Sequence, residues 1–277
     1  MGLRISTNVP SINAQKTMAM NQRDLGKAYA QLSSGNRITK SADDAAGLSI
    51  SETLKSSIRG YQQASRNAND AISLVQVAEG GLGEISNILT RMRELGVQAS
   101  SDTVGDLERG FINKEVQQLK LESERIAQVT QFNGTKLLNG TGKTFEFQID
   151  IHNNDFEDRI AFDASEINAT TDALNISGFD FSSKENARAA LGTIEASQRQ
   201  VNGSRATLGA IQNRMVSTTE NLAQSIESYS AANSRIRDTD MAQSSADLAK
   251  SNILQQASVG ILAQANAQPQ LALKLIG

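Results

Sequence analysis

Residues 54–89 read LKSSIRGYQQASRNANDAISLVQVAEGGLGEISNIL, and Leu54, Ile58, Tyr61, Ala68, Ile72, Val75, Leu82 and Leu89 fall at heptad spacing within them. A step of seven recurs at Leu208, Met215, Leu222, Tyr229 and Ile236. A stripe repeating at that interval covers one narrow helix face, which is stable only against a partner helix. The two stripes predict an intramolecular seam in which Leu54, Ile58 and Ile72 meet Leu208, Met215, Leu222 and Tyr229. The fold class this implies is mainly α. The N- and C-terminal halves pair as a long antiparallel bundle or coiled coil, with one small β-hairpin region in the middle.

The rest of the chain reads outward from this pair. Residues 3–33 carry a helical pattern in which Thr7 or Asn8 can cap and Pro10 is tolerated in the first turn. Ile5, Ile12, Met18, Leu25 and Leu32 keep a seven-residue spacing, and Ser34-Gly35-Asn36 stops the helix. The next helix spans about 45–100. Gly80, Gly81 and Gly83 interrupt it, each costing roughly 1 kcal/mol relative to Ala, so a soft point or kink is expected there. A third helix, about 104–130, aligns Ile112, Val116, Leu119 and Ile126, and Asn133-Gly134 and Asn139-Gly140 are turn dipeptides. Residues 144–163 alternate as a β-hairpin, with Phe145, Phe147, Ile149 and Ile151 on one stripe and Ile160 and Phe162 on the other. Residues 164–183 are irregular. Helix resumes near Ser183 and runs to about Ser234, and 241–277 is helical and nearly uncharged.

Charge and composition narrow the function. The 277 residues carry a net charge of −3, no cysteine, no Trp and only 4% aromatics. Residues 1–42 hold six basic groups, Arg4, Lys16, Arg23, Lys27, Arg37 and Lys40, against Asp24, a local balance of +5. The remainder therefore carries −8. A basic arm suits nucleic acid or a solvated, self-complementary surface; the spacing of these charges and the scarcity of aromatics favour the latter. The lack of cysteine excludes disulfides, thiolate metal sites and thiol catalysis. No secretory leader pattern follows Met1, and no apolar run approaches the roughly 18 residues of a membrane span.

No catalytic, cofactor or metal site is expected. His152 is the only histidine and lies in the hairpin turn, so no two-histidine zinc motif exists. Gly80-Gly81-Leu82-Gly83 lacks the preceding strand and following Lys-Ser/Thr of a phosphate loop. Asp43-Asp44 and Glu122 with Glu124 sit on helix caps or faces without a converging base or nucleophile. The sequons at Asn133, Asn139, Asn168, Asn175 and Asn202 are explained by composition.

The terminal segments pose an energetic problem. Ordering an arm of about 40 residues costs on the order of 40–80 kcal/mol, more than one narrow helix recovers in water. The expected organisation is thus a terminal domain, 1–44 plus 236–277, disordered in the monomer, and a helical domain, 45–235, with its hairpin near 144–163. The terminal domain should fold when other copies supply apolar neighbours at Ile5, Ile12, Leu25, Leu32, Leu254 and Ile261.

Longer strings are far more specific. They are Arg4-Ile-Ser-Thr-Asn-Val, Ile12-Asn-Ala-Gln15, Leu32-Ser-Ser-Gly-Asn-Arg-Ile38, Ser41-Ala-Asp-Asp-Ala-Ala-Gly-Leu-Ser49 and Thr130-Gln-Phe-Asn-Gly134. The C-terminal half adds Leu208-Gly-Ala-Ile-Gln-Asn-Arg214, Ser234-Arg-Ile-Arg-Asp-Thr-Asp240, Ile253-Leu-Gln-Gln-Ala257 and Leu262-Ala-Gln-Ala-Asn266. Together they resemble bacterial flagellin over roughly 1–140 and 185–277. Pro10, Gly81 and Gly83 depart from the family pattern. The resemblance implies a structural subunit of the extracellular flagellar filament, a hollow helical homopolymer serving motility. It also implies a short form without outer variable domains, exported unfolded through the flagellar type III channel. Expected partners are further copies, an export chaperone, the filament cap, hook–filament junction proteins and the flagellin-sensing Toll-like receptor, with neither nucleic acid nor membrane insertion. The stretch Leu89-Thr-Arg-Met-Arg-Glu-Leu-Gly-Val-Gln98 resembles the receptor-recognised segment, which would make Arg91, Leu95 and Glu115 contact residues. Rival readings are a hook–filament junction protein, a flagellin carrying a metalloprotease, and a nucleic-acid-binding coiled coil. The density of matching motifs, the lone histidine and the acidic balance beyond residue 42 weigh against them in turn.

Overall fold

The protein is described by a computed structural model covering residues 7–276, with side chains to residue 268. Five helices dominate: α1 (Val9–Ser34), α2 (Ala45–Ala99), α3 (Asp106–Val129), α4 (Lys184–Arg237) and α5 (Met241–Ile276). Two short antiparallel ladders join them, β1 (Gln131–Phe132) with β2 (Thr135–Lys136) and β3 (Thr144–Gln148) with β4 (Arg159–Asp163). The chain forms two compact units. One holds the described residues up to Ser57 and from Ser228 onward; the other is Ile58–Glu227.

Local chemistry sets the boundaries. Asn8 caps α1 by accepting from the Ser11 amide at 3.1 Å, with Pro10 in the first turn, and Gly35 closes the helix at φ 70°. Arg109, buried in α3, neutralises the far end of α2. It donates to the carbonyls of Ala99 and Ser101, each at 2.9 Å, and pairs with Asp106 at 2.6 Å. A cation there satisfies acceptors that the helix itself leaves open. The expected hairpin forms from β3 and β4, with Phe145 opposite Phe162 and Phe147 opposite Ile160. The β1–β2 ladder is additional. Its turn uses Asn133 at φ 46° and Gly134 at φ 76°, the positive angles that a two-residue hairpin favours.

In the second unit the core is one cluster drawn from α2, α3, α4 and the segments between. Leu82, Ile85, Leu89 and Met92 of α2 meet Val116 of α3 and Ile194, Val201 and Leu208 of α4, closed by Leu137, Leu138 and Phe181. A smaller cluster joins Ala68, Ala71 and Met215 to Ile149 and Ile160 of the hairpin segment. Ion pairs and polar contacts from α2 and the turn after it to α4 run antiparallel: Glu79 with Arg205, Thr90 with Gln198, Asp102 with Lys184. The irregular stretch after the hairpin is tied down by Glu124, which accepts from the Thr171 amide at 2.8 Å and its hydroxyl at 2.9 Å. That backbone bond holds the Glu124 carboxyl below its ordinary range.

The glycine cluster lies inside unbroken helix. α2 continues through residues 80–83 without a break, and none of these glycines has positive φ. Gly81 is nevertheless special, because a Cβ there would lie 2.7 Å from Leu138 Cδ1 and 2.8 Å from Thr130 Oγ1. Both neighbours are fixed: Leu138 is fully buried and the Thr130 hydroxyl donates to the Ile126 carbonyl at 2.7 Å. Gly80 and Gly83 have nothing within 4 Å of that position. Gly83→Ala should therefore raise stability by about 0.5–1 kcal/mol, while Gly81→Ala should lower it through overpacking. Urea midpoints of the two single variants measure the opposite signs.

Candidate assembly interface

The first unit is built inside out. α1 and α5 pack against each other antiparallel through small residues. Ala14 and Ala28 of α1 are buried, as are Ser244, Ser258 and Ala265 of α5. Polar side chains lock the register. Asn8 donates to the Ala265 carbonyl at 2.8 Å, Ser11 to the Asn266 side-chain oxygen at 2.8 Å, and Asn21 to the Ser258 hydroxyl at 2.8 Å. Small residues let two backbones approach closely but bury little apolar area, so the large side chains lie elsewhere. Ile12 is 56% exposed, Ile253 66% and Ile261 61%. Val9, Met20, Tyr29, Leu254 and Val259 are exposed as well. Large apolar side chains left exposed in this number are what an interaction surface would use.

The joint between the helix pairs is held mainly by backbone. Arg37 donates its amide to the Arg237 carbonyl at 2.6 Å, Thr239 its amide to the Gly35 carbonyl at 3.0 Å, and the Arg37 guanidinium to the Ile236 carbonyl at 2.7 Å. Ile38 is buried beneath it. Beside it the Ser51 hydroxyl donates to Asn233 at 2.7 Å, and Arg237 pairs with Glu52. Asp43 anchors the connecting segment. Its carboxylate accepts from the Thr39 hydroxyl at 2.9 Å and from the Thr39 and Lys40 amides at 3.1 Å, and pairs with Lys27 of α1 at 3.1 Å. The Thr39 hydroxyl, with Lys27 second, holds the Asp43 carboxyl well below the usual carboxylate range.

The residues expected to matter divide by environment. Of the seam positions, Leu208, Met215 and Leu222 are buried, and Leu54, Ile58, Ile72 and Tyr229 are half-buried. Of the assembly positions, Ile12, Leu254 and Ile261 are exposed, and Ile5 lies outside the described residues. Leu25 and Leu32 are half-buried on the side of α1 that carries Ala14 and Ala28, so they face the intramolecular contact. Arg91 and Glu115 are exposed and joined at 2.9 Å, with Glu94 also on Arg91 at 2.9 Å. Leu95 corrects the receptor reading: at 2% exposure it belongs to the core cluster and offers no surface to a partner. The small-residue seam leaves no trace in the spacing of the large apolar residues. Its signal is Ser244, Ser251, Ser258 and Ala265, every seventh residue, opposite Ala14, Asn21 and Ala28. His152 is exposed, no acidic or histidine cluster among the described residues could hold a metal, and no described helix is long and apolar enough to cross a membrane.

Comparison with known proteins gives a consistent result. A family model described as the bacterial flagellin N-terminal helical region matches residues 5–143, and one described as the C-terminal helical region matches 191–276. The flagellin of Halalkalibacterium halodurans is 43% identical over 272 residues, covering 98% of this chain and 99% of that protein. The flagellin of Bacillus subtilis is 39% identical over 310 residues, covering 99% and 100%. Among solved structures, Bacillus cereus flagellin aligns with a TM-score of 0.51 at 32% identity, over 57% of this chain and 88% of that one. A Vibrio parahaemolyticus structure described as a flagellar hook-associated protein shares the fold at a TM-score of 0.60, with 14% identity, over 71% of this chain and 100% of its own.

The Asp43 geometry predicts an acid dependence. A carboxyl whose pKa is depressed on folding contributes its stabilisation above the unfolded value, about 4 for aspartate, and loses it as pH falls through the folded value. In filaments, where α1 is expected to be ordered, the urea concentration that melts it should therefore fall as pH is lowered below about 4. Asp43→Asn should start lower at neutral pH and show a shallower acid slope, read by circular dichroism.

Proposed function

Because the chain belongs to the bacterial flagellin family and is a structural subunit of the flagellar filament rather than an enzyme, we propose that it polymerises through the outward faces of α1 and α5. The observation that carries this reading is the inversion of the terminal pair, small residues within and Ile12, Ile253, Leu254 and Ile261 outside. Burying one such side chain contributes about 1.5–3 kcal/mol. A contact repeated on every copy offsets the ordering cost of α1 and α5. In this reading the two helices order only in company, residues 1–44 and 236–277 form the filament core, and 45–235 the outer helical domain. Export through the type III channel suits a chain without disulfides to block threading. The export chaperone, the cap and the junction proteins are partners by family resemblance.

Leu254→Lys and Ile261→Lys test the reading directly. Each should leave the melting of residues 58–227 unchanged and abolish filaments seen by electron microscopy, since a charge would be buried at every repeat. In parallel, protease should trim the wild-type monomer near residues 44 and 236 but spare the filament. Normal filaments from either variant would count against the outward faces as the contact.

Recognition by the Toll-like receptor, if made by this chain, falls to the exposed Arg91–Glu115 pair with Leu95 supporting it from beneath. Arg91→Ala should weaken receptor binding by monomer, with truncation of an interface arginine commonly costing more than about 1 kcal/mol. Surface plasmon resonance of monomeric variants reads the loss, and an unchanged affinity removes this contact.

A further inference from the structure

The chain holds six methionines and no cysteine, so thioethers are its only sulfur. The fold sorts them by environment. Met92 and Met215 lie in the second unit, fully buried, each inside a core cluster. Met18, Met20 and Met241 lie in the first unit. Met18 is half-buried, Met20 is 42% exposed and Met241 54%. Met1 is outside the described residues. Position separates the two exposed ones. Eleven residues make about three turns of α-helix, which puts Met20 in line with Val9. Ile12 flanks them on the side of α1 turned from the buried Ser11 and Ala14. Met20 is therefore part of the outward face of α1. Met241 instead opens α5, next to the Asp240 carboxylate that accepts from the Ala242 and Gln243 amides at 2.8 and 3.1 Å.

We propose that Met20 is an oxidation site through which hydrogen peroxide controls polymerisation. The thioether sulfur donates a lone pair to one peroxide oxygen. An S–O bond forms, the O–O bond breaks, and the departing hydroxide leaves as water after proton transfer. Sulfur is oxidised by two electrons and the peroxide is reduced. The product is a sulfoxide, polar where the thioether was apolar. On a face that sheds water at every repeat, the new oxygen is buried without a partner. A dithiol reductase reverses the change: it returns two electrons to sulfur, releases the oxygen as water and closes its own disulfide. Assembly covers Met20, so the free chain is sensitive and the filament is protected. Met92 and Met215, whose oxidation would disrupt the second unit, are shielded in both states. The inference rests on the polymerisation faces proposed above and adds a modification site to them.

Mild peroxide treatment of the full-length monomer, followed by peptide mapping, should place added oxygen on Met20 and Met241 before Met92 and Met215. The thermal melt of residues 58–227 should not move. The critical concentration for polymerisation should rise at least about fivefold and fall back after treatment with methionine sulfoxide reductase. Variants are each compared with themselves before and after peroxide: Met20→Leu should lose most of the rise, and Met241→Leu should keep it. Preformed filaments should retain unmodified Met20 at a dose that converts the monomer. Normal polymerisation of chains carrying the sulfoxide at position 20, or a Met20→Leu protein as sensitive as wild type, overturns the proposal. Leu254→Lys tells the two failures apart. If it polymerises normally as well, the outward faces are not the contact; if it does not, the Met20 site falls alone.

Discussion

A helix that repeats its apolar residues every seventh position buries a strip about one side chain wide, and everything it gains comes from the helix laid against that strip. What sits at the seam then decides what is left for the outside. Where α2 meets α4 in the second unit, Leu82, Leu89, Leu208 and Met215 fill the contact and the outer faces are mostly polar, with Val77, Val97 and Val216 left exposed. Where α1 meets α5, alanine and serine fill it and the large apolar groups are displaced outward. One packing geometry with two sizes of side chain thus yields a unit with its own core and a second element whose apolar surface is still unspent.

The polar groups follow the same division. In the second unit they secure ends and loops: Arg109 at the terminus of α2, Glu124 on Thr171, and Lys120 on the carbonyls of Gln117's side chain and Phe179. In the first unit they supply register that small side chains cannot. Alanine faces slide over one another at little cost, so Asn8, Ser11 and Asn21 hold α1 in place through bonds that exist at a single alignment. Hydrogen bonds of this type contribute about 1 kcal/mol each, modest beside a full core, which agrees with a helix pair that depends on further neighbours.

Much of the architecture was legible because it rests on period and punctuation. The helix ends at Asn8, Gly35 and Ser183, the hairpin around 144–163, and the burial of Leu208, Met215 and Leu222 all follow from residue type and spacing. What escaped depended on contacts between segments distant in sequence. Gly81 looked like a weakness in a helix; its role is to admit Thr130 and Leu138, whose approach no local pattern announces. Leu95 lies in a segment whose neighbours Arg91 and Glu94 are exposed, and only the position of Phe181 and the α4 core decides that it points inward. The small-residue seam was visible as a repeat, but alanine and serine carry too little hydrophobic weight to stand out from helix-favouring composition.

The joint at residues 35–38 and 237–239 has a different kind of consequence. Its main bonds are between backbone groups, Arg37 to Arg237 and Thr239 to Gly35, so they are blind to the side chains that happen to be present. What such bonds constrain is length, the number of residues between one donor and the next acceptor. One residue inserted between Gly35 and Arg37 would put the Gly35 carbonyl and the Arg37 amide out of step with Thr239 and Arg237. The joint therefore works as a ruler: it measures out chain from Gly35 to Arg37 against chain from Arg237 to Thr239, and closes only when the two counts agree.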